Sequence, residues 1–271
     1  MKNRLLAVGS RLADRYGVLP IAGAIYWKVD TAYCLVRVAT IGELDAEIAG
    51  QSVRFDLSTR SEYRRAKNLG GERAVIEALL SELSGAETVW DIGASVGTYT
   101  CFIASALTTG CVVGFEPEST NRSRLRMNLE QNELTGWEIA SFALSNENGT
   151  CTLSSEFVEA GAGHHYLSSD GTGPTVETRR GDTLVDKTEY APPDIVKIDV
   201  QGAELAVLSG LRGVLDGVRS IFLEVHPDKC DRYDTTAEEI EAFLTTSGFS
   251  LTQLGEPTTR RSGVYFIHAS R

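Results

Sequence analysis

The chain has 271 residues, 42% of them hydrophobic and only 7 of them proline, which suits one α/β domain with a small appendage. Its 26 Lys and Arg stand against 37 Asp and Glu, a formal charge of -11; such a surface repels phosphates and argues against nucleic acid as a partner. The five scattered cysteines include no CxxC pair, which argues against a zinc knuckle or a disulfide framework and for a reduced, cytoplasmic setting.

The opening stretch, MKNRLLAVGSRLADRYGVLPIAGAIYWKVD, starts basic, and Arg11, Asp14, Arg15 and Pro20 interrupt its apolar runs. None of these runs approaches the ~20 residues of a membrane span. Leu5, Leu12 and Tyr16 keep a helical spacing among Lys2, Arg4, Arg11 and Arg15. The segment is expected to fold onto the domain or shield its pocket, with contact to a membrane surface as the second reading. The alternating runs AYCLVRV and SVRFDLS, parted by a turn at Gly50–Gln51, predict a small antiparallel β element. RSEYRRAK at 60–67 reads as a solvated helix face, or else as an anion contact near a pocket mouth. Residues 1–69 thus form an N-terminal helical and β extension, and 70–271 the main domain.

Within that domain, strands and helices alternate. GERAVIEALLSEL carries Val75, Ile76, Leu79, Leu80 and Leu83 at helical spacing. A strand ETVWDIG, a helix TYTCFIASAL, a strand CVVGFEP, a helix capped at Ser119 or Thr120, and a strand WEIASFALS follow. Residues 145–182 are rich in Gly, Ser, Thr and Asn and read as turns, short strands and a loop, with His164 and His165 in a stretch able to cover an acceptor. Then come the strand DIVKIDV, the helix AELAVLSGLRGVL, the strand SIFLEVHP, the helix TAEEIEAFLTTSG and two closely spaced final strands. Short apolar strands alternating with helices predict a doubly wound, Rossmann-like α/β fold: a mixed sheet, mostly parallel, with an antiparallel strand at one edge.

Asp91, Glu116, Asp199 and Glu224 all fall at or near predicted strand ends, where open α/β sheets bind their ligands. Aspartate is a poor strand residue, so four acids at successive strand ends call for a reason beyond solvation. The first turn reads D-x-G-x-x-x-G, with Asp91, Gly93 and Gly97, and lacks the third glycine of a dinucleotide fingerprint. An acid that opens the loop repels pyrophosphate and suits a ligand bearing a sulfonium and an amino group. Glu116 lies 19 residues after Gly97, where a carboxylate can accept both ribose hydroxyls. Together these motifs point to S-adenosylmethionine. A NAD-dependent oxidoreductase and a nonenzymatic adenosyl-ligand-binding protein are the alternatives. Pro192 and Pro193 precede the strand, so they do not form the Pro-Pro motif of amino methyltransferases.

DIGASVGTYT, GFEPES, IVKIDVQGAELAVLSG and IFLEVHP resemble, in order and spacing, the FkbM family of class I methyltransferases, over residues 70–268. The chain departs from the family at Gln201, where glutamate is usual. The resemblance implies S-adenosylmethionine-dependent O-methylation of a hydroxyl on a sugar or small molecule. It implies that Asp91, Gly93, Ser95, Gly97 and Tyr99 line the methionine part and that Glu116 holds the ribose, with Pro117 shaping the turn. Phe142 and Ala143 would flank the adenine, and Asp199 would stand beside the sulfonium at the gate to the acceptor. A hydroxyl nucleophile must lose its proton, and Asp199, His226 and Glu224 are the candidates to receive or orient it, near Glu204 on the intervening helix. These two carboxylates and the imidazole would suit a divalent ion by type, but the sulfonium already accounts for the acids and no metal is expected. Acceptor specificity is expected in the 155–176 loop, the N-terminal segment and the region around 228–235.

Overall fold

A computed structural model describes residues 18–155, 159–163, 165–168, 171–255 and 263–271. The helical run through Leu5, Leu12 and Tyr16, and His164, lie outside the described residues. The chain opens with helix α1 (Val18–Ile41), followed by strands β1 (Glu43–Ile48) and β2 (Gln51–Asp56) and helices α2 (Arg60–Asn68) and α3 (Arg73–Ser81). The hairpin turns through Ala49 and Gly50, both at positive φ, as the twist of a two-residue loop requires. The expected hairpin is therefore present, but its first strand is ELDAEI. AYCLVRV belongs to α1, with Cys34 buried; a short apolar run fits either period until its neighbours decide.

The main sheet is built from β3 (Thr88–Ile92), β4 (Cys111–Phe115), β5 (Trp137–Ala140), β10 (Ile195–Ile198), β11 (Ser220–Val225), β12 (Ser250–Leu254) and β13 (Tyr265–Ser270), in the order β12-β13-β11-β10-β3-β4-β5. From β5 to β11 all pairings are parallel. The reversal takes the form of β13, inserted antiparallel between β11 and β12. Chain order runs outward from β3 toward β5 and then restarts at β10 on the other side, so the crevice between β3 and β10 is the switch point where such sheets hold ligands.

Helices α4 (Thr98–Ala106), α5 (Ser119–Gln131), α6 (Gly181–Asp186), α7 (Glu204–Gly210), α8 (Pro227–Cys230) and α9 (Ala237–Thr246) make the connections. Every residue of β10 and β11 is buried, as both-face coverage demands. A smaller four-stranded sheet, ordered β6-β9-β7-β8, comprises β6 (Ala143–Leu144), β7 (Gly149–Ser155), β8 (His165–Ser168) and β9 (Thr175–Arg179). WEIASFALS is split: β5 stays in the main sheet, and the chain crosses at Ser141–Phe142 to start the second.

Two apolar cores flank the main sheet. One joins Val53 and Phe55 of the hairpin, Tyr63 of α2 and Leu79 of α3 to Phe102 of α4 and Val89 of β3. The other joins Trp90, Phe115, Leu208, Leu223 and Ile240. Phe102 is fully buried, and its ring lies 6.0 Å from that of Phe55, so the hairpin and the sheet share one interior. Phe102→Ala is expected to cost about 3–5 kcal/mol while leaving a single transition in urea unfolding; separate transitions for the N-terminal elements would contradict a shared core.

Candidate active site

The strand-end acids meet a lysine that apolar patterning conceals. Lys197 of β10 pairs in register with Asp91 of β3, and the ammonium lies 3.1 Å from Asp91 Oδ1 with both side chains buried. Lys197 also donates to the Gly93 carbonyl at 3.2 Å and sits 4.9 Å from the centre of the Tyr99 ring. Burial opposes the charge on Lys197, but the carboxylates of Asp91, Asp199 and Glu72 outweigh it and raise its pKa. Thr100 donates to Asp91 Oδ2 at 2.6 Å.

Above this pair the chain turns at Gly93, with φ of 81°. A Cβ there would stand 1.9 Å from the Asp199 carbonyl oxygen, so only glycine lets the β3 and β10 loops touch. The amides of Gly93 and Ala94 both donate to the Phe115 carbonyl, and the Ser95 amide donates to Glu116 Oε2 at 2.8 Å. Glu116 Oε1 accepts from the Glu118 amide at 2.8 Å. Burial pushes the Glu116 carboxyl up to about 7 despite these two bonds.

These loops border an open cleft lined by Gly93, Ser95, Glu116, Pro117, Ala143 and Asp199 among others. Six of the expected residues are thus brought to one wall. Ser95 Oγ is buried with no hydrogen-bond partner among the described residues. The cleft also takes Asn121, Arg65 and His165. Arg65 lines the cleft and donates to the Gly161 carbonyl at 2.6 Å. Arg60 and Arg64 instead bind Asp30 of α1.

The remaining expected residues lie behind that wall. Asp91 has no exposed surface, and its carboxylate is turned to Thr100 and Lys197. A Cβ on Gly97 would sit 2.5 Å from Leu125 Cδ1, so this glycine serves the contact between α4 and α5. Tyr99 is buried beside Lys197, and burial together with Glu72 pushes its hydroxyl pKa well up. Phe142 follows β5 rather than ending it, and its ring joins those of Phe115 and Tyr190 in the core. Glu224 and His226 are buried, neither lines the cleft, and they reach it through Asp199 and Gln201.

Asp199 Oδ1 accepts from Gln201 Nε2 at 2.6 Å and lies 3.8 Å from His226 Nε2. Burial alone would raise the Asp199 carboxyl, but Lys197, His226 and Arg65 together hold it well below the usual carboxylate range. His226 Nδ1 faces Glu204 Oε1 at 2.9 Å, and its Nε2 lies 3.8 Å from Glu224. Burial would lower the imidazole pKa, but the Glu204 bond and the charges of Asp199, Glu204 and Glu224 raise it. Gln201 acts against them. Its Oε1 accepts from Lys229 and one N–H of its Nε2 donates to Asp199, which turns the second N–H of that nitrogen toward His226 Nε2 at 3.0 Å. A donor there favours the neutral ring with its proton on Nδ1, toward Glu204. A glutamate at 201 would reverse that preference. The donor atoms of Asp199, Glu224 and His226 lie within 4.8 Å of one another, and the Gln201 amide already bonds to two of the three.

Lys197 and Asn121 were missed by sequence reasoning. A lysine inside a fully apolar strand run was the signal for the first, because a buried ammonium needs a partner.

Residues 91–251 match the family model for the methyltransferase FkbM domain. The hexuronic acid methyltransferase AglP of Haloferax volcanii is 33% identical over 201 residues, which cover 74% of this chain and 81% of that protein. The antimetabolite synthetase AmbE of Pseudomonas aeruginosa is 28% identical over 200 residues, 60% of this chain and 9% of that much longer protein. Among solved structures, magnesium protoporphyrin IX methyltransferase from Synechocystis PCC 6803 with bound SAH gives a TM-score of 0.49 at 14% identity, covering 76% of this chain and 84% of that one. The strand-end acids, the glycine turn and the KIDVQGAE segment lie in the matched domain, and the chain belongs to the FkbM family of methyltransferases.

Proposed function

We propose that the chain uses S-adenosylmethionine to methylate a hydroxyl on a sugar or small molecule, in the cleft between the β3, β4 and β10 loops. The observation that carries this reading is the pairing of Glu116 and Asp199 in one cleft, next to a Ser95 hydroxyl with no hydrogen-bond partner among the described residues. This donor set fits an adenosyl sulfonium: two carboxylates and a hydroxyl suit ribose hydroxyls, an ammonium and a positive sulfur. Glu116 would hold the ribose, with Pro117 and Ala143 toward the base. Gly93, Ser95 and Asp199 would hold the methionine end, with Asp91 and Tyr99 acting from behind through Lys197. Bound S-adenosylmethionine supplies an activated methyl group on its sulfonium.

The chain's own residues then have two tasks. The first is alignment, because an in-line displacement gains much of its rate from a fixed approach. Asp199 is held by Gln201 and kept ionised by the charge of Lys197, and presents a fixed acceptor for the incoming hydroxyl. The second is removal of the proton. Asp199, with its depressed pKa, is a weak base, whereas His226, whose Nε2 lies 3.8 Å from Asp199 Oδ1, is the stronger one once its raised pKa is passed and the ring is neutral. Compared with a glutamate, the uncharged Gln201 amide adds no negative charge beside Nε2 and so favours the neutral ring. AglP carries a sugar acid in its name, which favours a sugar acceptor here, and Arg65 on the cleft wall suits an anionic one.

Two outcomes follow. Glu116 must be ionised to accept two hydroxyl bonds, and burial sets it near 7; S-adenosylmethionine affinity is therefore expected to rise about tenfold between pH 6 and pH 8. Isothermal calorimetry checks this, and Glu116→Gln should weaken binding and flatten the dependence. Gln201→Glu should raise the His226 pKa, so the pH at which transfer reaches half its plateau should move up by about one unit in a pH–rate profile. An unmoved limb would remove His226 from the proton path.

A further inference from the structure

We propose that the outward face of α1 docks on the surface of an anionic lipid bilayer. Four of the five large hydrophobic side chains exposed among the described residues lie on this one helix: Val29 at 63%, Tyr33 at 50%, Leu35 at 52% and Val36 at 60%. Ala32, Ala39 and Thr40 are exposed beside them. Positions 29, 32, 33, 36, 39 and 40 form one stripe at helical spacing, opposite buried Cys34. A helix that is apolar on the side facing water leaves that side to be covered by something.

Charge identifies the cover. Through Ile41 the sequence holds six Lys and Arg against Asp14 and Asp30, a net of +4, so the remainder carries -15 of the total of -11. Two copies meeting through this face would bring like-charged segments together. An anionic bilayer instead offers apolar depth to the stripe and counter-charge to exposed Lys28 and to Lys67 of α2, whose ammonium lies 5.8 Å from the centre of the Tyr33 ring, the pattern of a helix lying in the interface plane. The helix is not long and apolar enough to cross a membrane. Docking would also place the cleft: Asp30 of α1 binds Arg60 and Arg64 of α2, and Arg65 of the same helix lines the cleft. The rim would then lie near the bilayer surface.

Co-sedimentation of the full chain with vesicles tests this, using phosphatidylcholine alone and phosphatidylcholine mixed with phosphatidylglycerol, at low and high salt. The wild type is expected to pellet with the mixed vesicles, to bind them less at high salt, and to bind neutral vesicles weakly. Val29→Ser with Val36→Ser should reduce binding at least about tenfold and leave the circular dichroism spectrum unchanged, whereas Met127→Ser, at the fifth exposed site, should bind as wild type. Absence of binding, binding that ignores lipid charge and salt, or a dimer in sedimentation equilibrium abolished by the same two substitutions would overturn it. None of these readouts depends on methyl transfer.

Discussion

The architecture of the cleft depends on one buried ion pair. Lys197 and Asp91 face each other across the central strands β10 and β3, at the point where the sheet's order changes direction. Removing either partner would strand a charge in the interior, which costs about 3–5 kcal/mol in comparable pairs. The lysine also donates to the Gly93 carbonyl, so the pair that satisfies the core fixes the glycine turn above it. That turn touches the Asp199 backbone and delivers the Ser95 amide to Glu116. The cleft thus rests on a buried cation of its own, one layer below.

Acidity is graded across the cleft. Glu116, desolvated and held by two amides, titrates near neutrality; Asp199, facing Lys197, His226 and Arg65, stays ionised. The two carboxylates are alike in sequence and opposite in environment. Behind them, Glu204, His226, Gln201 and Lys229 form a chain of fixed hydrogen bonds in which the amide orientation at 201 decides what the imidazole can do. The family's usual glutamate would give that chain a different charge.

Much of this was legible in the sequence, because the features that build the cleft are local. An acid at a strand end, a glycine two residues on and a second acid after the next strand can be read without knowing the pairing, and Glu116, Gly93, Ser95 and Asp199 meet in the cleft as their spacing suggests. Asp91 shows the limit. Its place at a strand end was evident, but whether its carboxylate faces the cleft or the core depends on the register of β3 against β10, a contact across a hundred residues. Lys197 hid in an apolar run for the same reason. Gly97 and Phe142 lie in ligand-binding motifs and do packing work, which only the positions of Leu125 and Tyr190 disclose. AYCLVRV failed differently: seven apolar and polar residues fit a strand or a helix, and the helix that precedes them decided the outcome.

A cofactor seated in the cleft framed by the β3, β4 and β10 loops would shield those loops from solvent, and hydrogen–deuterium exchange with and without S-adenosylhomocysteine reads that shielding. Slowed exchange is expected in three segments, 93–97, 116–121 and 199–203, with α9 and β12 unchanged. Protection absent from all three, or strongest on the β12 side of the sheet, would contradict it.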